Sequence, residues 1–254
     1  MVGEVLCLLQ SNNVTAKSGD AMNDRPSLRL SATLLLVGQL LFIVVTQFHA
    51  DGPANDHPAV FAEYARSDTW KVVHAGQFAA MAILLAGLIV LFFALDARTG
   101  IAKWSARFGV ASAVAAFALY AVLQAVDGIA LKQAVDAWVS APDAEKAARF
   151  ANAETMRWLE WGVRSYQNFA LGLALLLFGS AVVRTASTPR AIGYLIGLSG
   201  LVYLAQGWVG ETEGFSQTHT MAIVLAFVLD LAWMIWLLIV AIRMPDSERA
   251  ISPS

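Results

Sequence analysis

Six long stretches of this chain are almost free of charge: Leu30–Phe48, Val72–Leu95, Phe108–Val126, Ser165–Val183, Ala191–Gly210 and Thr220–Ile242. Each is long enough to cross about 30 Å of hydrocarbon at about 1.5 Å per helical residue. Of 17 basic and 19 acidic residues, only Asp230 falls inside them. A soluble helix carries charge every few residues along its exposed face, and these segments do not. The runs are continuously apolar without alternation, which favours helices over a barrel. The expected fold is therefore all-α, an integral membrane six-helix bundle. Composition agrees: 14% of residues are charged, against about 25% in soluble domains. The absence of a basic surplus argues against a nucleic-acid partner, and a single cysteine, Cys7, excludes a disulfide scaffold. The lipid bilayer is the expected partner; the oligomeric state is not legible.

Charge sets the expected orientation. With the N-terminus in the cytoplasm, the inner side carries ten basic residues against six acids, and the outer side seven against twelve. The outer loop Glu211–His219 has no Lys or Arg. This positive-inside bias predicts both termini on the cytoplasmic side. Trp70, Trp138, Trp158, Trp161 and Trp208 fall near outer ends and Trp104 near an inner end, where indoles favour the headgroup level. The expected organisation is a disordered cytoplasmic tail at 1–28, a six-span domain at 29–244 and a cytoplasmic tail at 245–254.

Two outer segments read as more than turns. Asp51-Gly52-Pro53 and Asp56-His57-Pro58 are turn signals, followed by a short helix at Ala59–Arg66. Leu131, Val135, Trp138 and Val139 share a helical face, as an amphipathic extension of the third span or an interfacial helix. Pro142-Asp143 then starts a new helix that runs into the fourth span without a breaker. Short helices are thus expected to cap the outer face. Gly193, Gly197 and Gly200 on the fifth span, and Ala111, Ala115 and Ala118 on the third, are candidates for close helix packing.

Counting about 20 residues outward from each inner boundary brings polar side chains of all six helices to one level. His49, His74, Gln77, Gln124, Asp127, Gln206 and His219 lie there, and Asp230 lies about 10 Å deeper. On the fourth helix Arg157, Glu160, Arg164, Gln167 and Asn168 form one stripe, which points inward rather than to lipid. Charges at a membrane boundary are commonly just interfacial, and a lone histidine is more often hydrogen-bonded than ligating. Glu160 and Arg164 are spaced i, i+4 for a structural ion pair. Asp230, an acid inside a span, is a functional candidate by position; its structural alternative is a hydrogen-bonded acid that fixes packing.

Three function classes remain. The first is binding or movement of a small molecule or ion through an outward-facing pocket lined by His74, Asp127, Glu160, Arg164, His219 and Asp230. The second is a metal- or haem-dependent membrane enzyme using His49, His74 and His219, with Asp127 or Glu160 completing a zinc-type set. The third is a scaffold or accessory subunit whose polar layer only stitches the cap to the bundle. No paired-histidine zinc motif, Walker loop, nucleophile elbow or dinucleotide fingerprint occurs. The cofactor is therefore open, and so is whether the protein is an enzyme at all.

The stretches Asn55–Tyr64, Ala130–Trp138 and Arg157–Gly162 resemble a group of uncharacterised bacterial polytopic membrane proteins with six helices. The resemblance covers most of the chain after Arg29 and implies a location in a bacterial plasma (inner) membrane but no activity.

Overall fold

The computed structural model describes residues 25–53, 55–185 and 188–244. Cys7 and the tails at 1–24 and 245–254 lie outside the described residues. Helices dominate: α1 (Arg25–Thr46), α2 (His57–Arg66), α3 (Trp70–Leu95), α4 (Gly100–Ala125), α5 (Lys132–Val139), α6 (Asp143–Arg184), α7 (Arg190–Glu213) and α8 (Gln217–Arg243). Among the described residues no strand occurs. Residues 25–28, expected in the tail, are already helical and run on into α1.

Among the described residues six helices are long and apolar enough to cross a membrane: α1, α3, α4 with its continuation through α5, α6, α7 and α8. Large apolar side chains such as Val72, Phe93, Phe108, Tyr194 and Val228 are exposed around the bundle. In water that surface would be unfavourable; in a bilayer lipid covers it. Between α4 and α5 the chain does not break. A π-helical turn, Val126–Leu131, joins them into one continuous rod. The third span thus continues directly into its amphipathic extension. Helix α6 is 42 residues long, about 63 Å at 1.5 Å per residue, roughly twice the hydrocarbon thickness. Its first half therefore projects beyond the span. Asp143 and Glu145 sit in its first turn, where acids complement the helix dipole.

Two cores result. The larger fills the bundle with Leu35, Leu88, Leu123, Phe178, Ile196 and Leu237. A smaller one, with Val60, Phe61, Tyr64, Trp70, Leu131 and Val135, packs α2, α5 and the projecting part of α6 into a cap over one end. Polar contacts hold the cap. Asp56 caps α2 by accepting from the Ala59 amide at 3.1 Å. His57 Nδ1 donates to Glu154 of α6 at 3.0 Å. Asn55, at φ 62°, donates to the Glu213 carbonyl at 2.7 Å and accepts from the Phe215 amide at 3.2 Å, tying two loops together.

Helix contacts are set by small residues. On α6 and α7 the opposed pairs are Gly172 with Gly200, Gly179 with Gly193, and Ser165 with Gly207. The same geometry joins α1 and α3, where a Cβ on Gly38 would lie 2.6 Å from the Leu84 nitrogen. Gly193 and Gly200 therefore serve packing within one chain, whereas a Cβ on Gly197 would meet open space. The alanine expectation on α4 is corrected. Ala111, Ala115 and Ala118 are exposed, and the buried face is Gly109, Ala113, Ala116 and Tyr120. Both faces are rich in small residues, so composition did not distinguish them.

Candidate functional site

Helix α3 presents Trp70, His74 and Gln77 on one buried face at its capped end. Trp70 Nε1 donates to the Gly128 carbonyl at 3.0 Å, which pins the π-helical turn. His74 Nδ1 lies 2.8 Å from the Trp70 carbonyl. A carbonyl only accepts, so Nδ1 carries the proton and Nε2 faces Asp127, 3.2 Å from Oδ2. Nε2 and Oδ2 are at ion-pair distance; among the described residues, Nε2 and the other carboxylate oxygen, Oδ1, are buried without a hydrogen-bond partner. Asp127 owes its position to the π turn, whose extra residue re-aims side chains. Just beyond α1, the His49 ring lies 5.1 Å from the rings of both His74 and Trp70, tilted against each. Burial holds its imidazole below the ordinary histidine pKa, with Asp127 pulling the other way. Tyr64, beside it in α2, has its phenol pKa raised by burial.

On the α6 stripe Arg157, Glu160, Gln167 and Asn168 are buried and Arg164 is half-buried. Arg157 Nη1 donates to Glu160 at 2.6 Å and to the Tyr64 hydroxyl at 2.9 Å. The expected Glu160–Arg164 pair is corrected: Glu160 pairs with Arg157 at i, i+3. Arg164 instead lies over the Phe215 ring at 5.3 Å, and Arg157 over the same ring at 4.4 Å. Phe215 thus lies under both guanidiniums, and the Tyr64 hydroxyl holds Arg157 beside Glu160. Among the described residues Arg164 makes no ion pair, and its Nε is buried without a partner.

These groups border a cavity of about 650 Å³ between α1, α3, α6, α7 and α8. Its capped end is polar, with Arg157, Glu160, Arg164, Gln167, Asn168 and His219. Its deeper part is apolar, with Leu35, Met81, Leu84, Leu88, Leu171 and Leu175. Several buried donors on this wall have no partner: Gln39 Nε2, Arg157 Nε, Arg164 Nε, Gln167 Nε2 and Asn168 Nδ2. Buried polar atoms are normally satisfied by protein, water or ligand. Asp230 also lines the cavity. Tyr203 donates to its Oδ2 at 2.9 Å and Trp233 Nε1 to its Oδ1 at 3.0 Å.

The six residues expected to line one pocket divide into two groups. Glu160, Arg164, His219 and Asp230 line the cavity. His74 and Asp127 stand behind His49, which itself borders the cavity. Of the expected metal set, His49 and His74 come together, with Asp127 as third member. His219 is not in that group; its ring packs on Phe215 at 5.3 Å. Sequence reasoning missed Gln39, Tyr203, Phe215 and Trp233. Gln39 had a visible signal, a lone amide inside a span; the others are ordinary aromatics without one.

Fold and site together define a multi-pass membrane protein with a capped six-helix bundle and an internal cavity that is polar at one end. The chain belongs to the family described as a domain of unknown function (DUF4386), whose model matches residues 30–241. No curated protein and no solved structure matches it.

Proposed function

We propose that the protein binds a small amphipathic molecule with an anionic head, its acidic group on Arg164 and its apolar part in the chamber below. The observation that carries this reading is Arg164 itself. It is a cation on a cavity wall with no ion-pair partner, beside unpaired amide donors of Gln167 and Asn168. A guanidinium among spare N–H donors suits a carboxylate or phosphate. The Leu-rich deeper wall suits a hydrocarbon chain. Glu160 makes its ion pair with Arg157 rather than with Arg164.

The basic bias of the loops supports placing the capped end outside, with both termini in the cytoplasm of a bacterial cell. The cavity then serves as an outward-facing receptor or carrier site. The two donors on Asp230 favour a packing role for that acid over a proton-coupling one.

The test uses purified protein in nanodiscs and three probes: octanoate, octanol and acetate. Octanoate is expected to raise the unfolding temperature in a dose-dependent way, as any ligand of the native state does. Octanol, without charge, and acetate, without a tail, should do much less. Arg164→Gln should abolish the octanoate response while leaving basal stability near that of the parent. Equal responses to octanoate and octanol, or an unchanged response in the variant, would overturn the proposal.

A further inference from the structure

We propose that His49, His74 and Asp127 form a three-ligand site for a divalent transition-metal ion of the zinc class, open toward the cavity. The proposal is separate from the anion site at Arg164. One ligand atom of each residue lies within 4.8 Å of the other two. The tightest pair, His74 Nε2 and Asp127 Oδ2, is 3.2 Å apart. Neighbouring ligands on a tetrahedral ion with bonds of about 2.0–2.1 Å are separated by about 3.3 Å. The third ligand, His49, lies in the short segment between α1 and α2, where a small shift brings it in.

Four observations favour an ion over a simple ion pair. First, His74 Nδ1 donates to the Trp70 carbonyl, which fixes the tautomer with Nε2 free to ligate. Metal-bound histidines characteristically have their other ring nitrogen held in this way. Second, Nε2 of His74 and Oδ1 of Asp127 are both buried without hydrogen bonds, although each residue is at most 5% exposed. The close pair is Nε2 with the other carboxylate oxygen, Oδ2, at 3.2 Å, so Oδ1 is a buried oxygen still available to a cation. Third, the supporting shell is built. Trp70 clamps the Gly128 carbonyl, and the bare Gly128 lets the His74 side chain lie against the π turn, where a Cβ would stand 3.0 Å from it. Fourth, His49 is on the cavity wall while His74 and Asp127 are behind it. Three protein ligands with one side open to a cavity is the arrangement of a reactive rather than a structural zinc site. Two imidazoles and one carboxylate suit zinc, ferrous iron or cobalt, and not calcium or magnesium.

The experiment is elemental analysis of the full chain, purified in mild detergent without chelator or polyhistidine tag, before and after incubation with Zn²⁺, Fe²⁺ or Co²⁺. About one ion per chain is expected after dialysis. The cobalt form should show the visible absorption of a low-symmetry, four- or five-coordinate site. His74→Ala and Asp127→Ala should lower occupancy at least tenfold, whereas His219→Ala should retain the ion. Where either of the first two variants fails to fold, His49→Ala on the cavity wall takes its place, and it must alter the cobalt spectrum or weaken retention. Fewer than about 0.1 ions per chain in every metal condition would overturn the proposal, as would an unchanged spectrum and retention in His49→Ala. Retention equally lost in His219→Ala would move the site elsewhere and overturn this assignment.

Discussion

Gly179 and Gly193 face each other across α6 and α7 so closely that a Cβ on Gly179 would stand 2.6 Å from the Gly193 carbonyl oxygen. Seven residues along each helix in opposite directions, Gly172 and Gly200 repeat the relationship at 2.7 Å. This seam aligns the α6 stripe with α7 and so positions Arg164 and Gln206 around one cavity. Gly179→Ala is therefore expected to destabilise the protein by about 1–3 kcal/mol through overpacking. Gly162→Ala, on the same helix with nothing within 4 Å of the added Cβ, should be neutral or stabilising by about 0.5–1 kcal/mol. Thermal unfolding of both variants in one detergent checks the contrast. Equal stability of the two would mean that α6 and α7 do not pack along this seam.

Arg157 and Glu160 form a buried ion pair at 2.6 Å. Removing one partner leaves the other charged and desolvated. Glu160→Leu should cost about 3–5 kcal/mol, the range for breaking a buried pair. Arg157→Met combined with Glu160→Leu should recover most of that loss, because no uncompensated charge remains. Denaturant titration of the two single variants and the double variant measures the coupling. A double variant as unstable as the sum of the singles would contradict it.

Asp230 accepts from Tyr203 and Trp233, which ties α7 to α8 from within the bundle. Asp230→Leu strands both donors, and each orphaned buried donor costs about 1–3 kcal/mol. Asp230→Asn keeps one acceptor oxygen and should lie between parent and Leu variant in unfolding temperature. Stability in the order Leu, parent, Asn would point to an acid whose charge is a liability kept for another purpose.

The spans were legible because a bilayer leaves few alternatives: charge-free runs of this length must be helical. The continuity of α6 followed from the lack of a breaker after Asp143, and α2 from its turn residues. Other features carried no sequence signal. Nothing in Val126–Leu131 marks a π turn, yet that turn sets where Asp127 points. Counting depth brought His49, His74 and His219 to one level, but depth says nothing about azimuth. Only the helix arrangement separates His219 from the other two. The Glu160 partner was misread for a similar reason: Arg157 and Arg164 are both within helical reach, and Tyr64, distant in sequence, accepts from Arg157 and holds it at Glu160. The anionic reading of the cavity, by contrast, began with Arg164 on a stripe visible in the sequence.

Orientation follows from charge alone and is open to a direct check. In a Cys7→Ser background, Ser140→Cys places a thiol on the exposed turn between α5 and α6, at the capped end. Thr99→Cys places one on the exposed turn between α3 and α4, at the opposite end. The α3–α4 turn lies among Arg98, Lys103 and Arg107, which the positive-inside bias assigns to the cytoplasm. A membrane-impermeant maleimide added to intact spheroplasts should modify Ser140→Cys and spare Thr99→Cys until the membrane is permeabilised. The reverse pattern would turn the bundle over and open the Arg164 cavity to the cytoplasm, so that its ligand would come from inside the cell. Because both thiols sit on short turns outside the spans, neither substitution is expected to disturb the helix packing that holds the cavity.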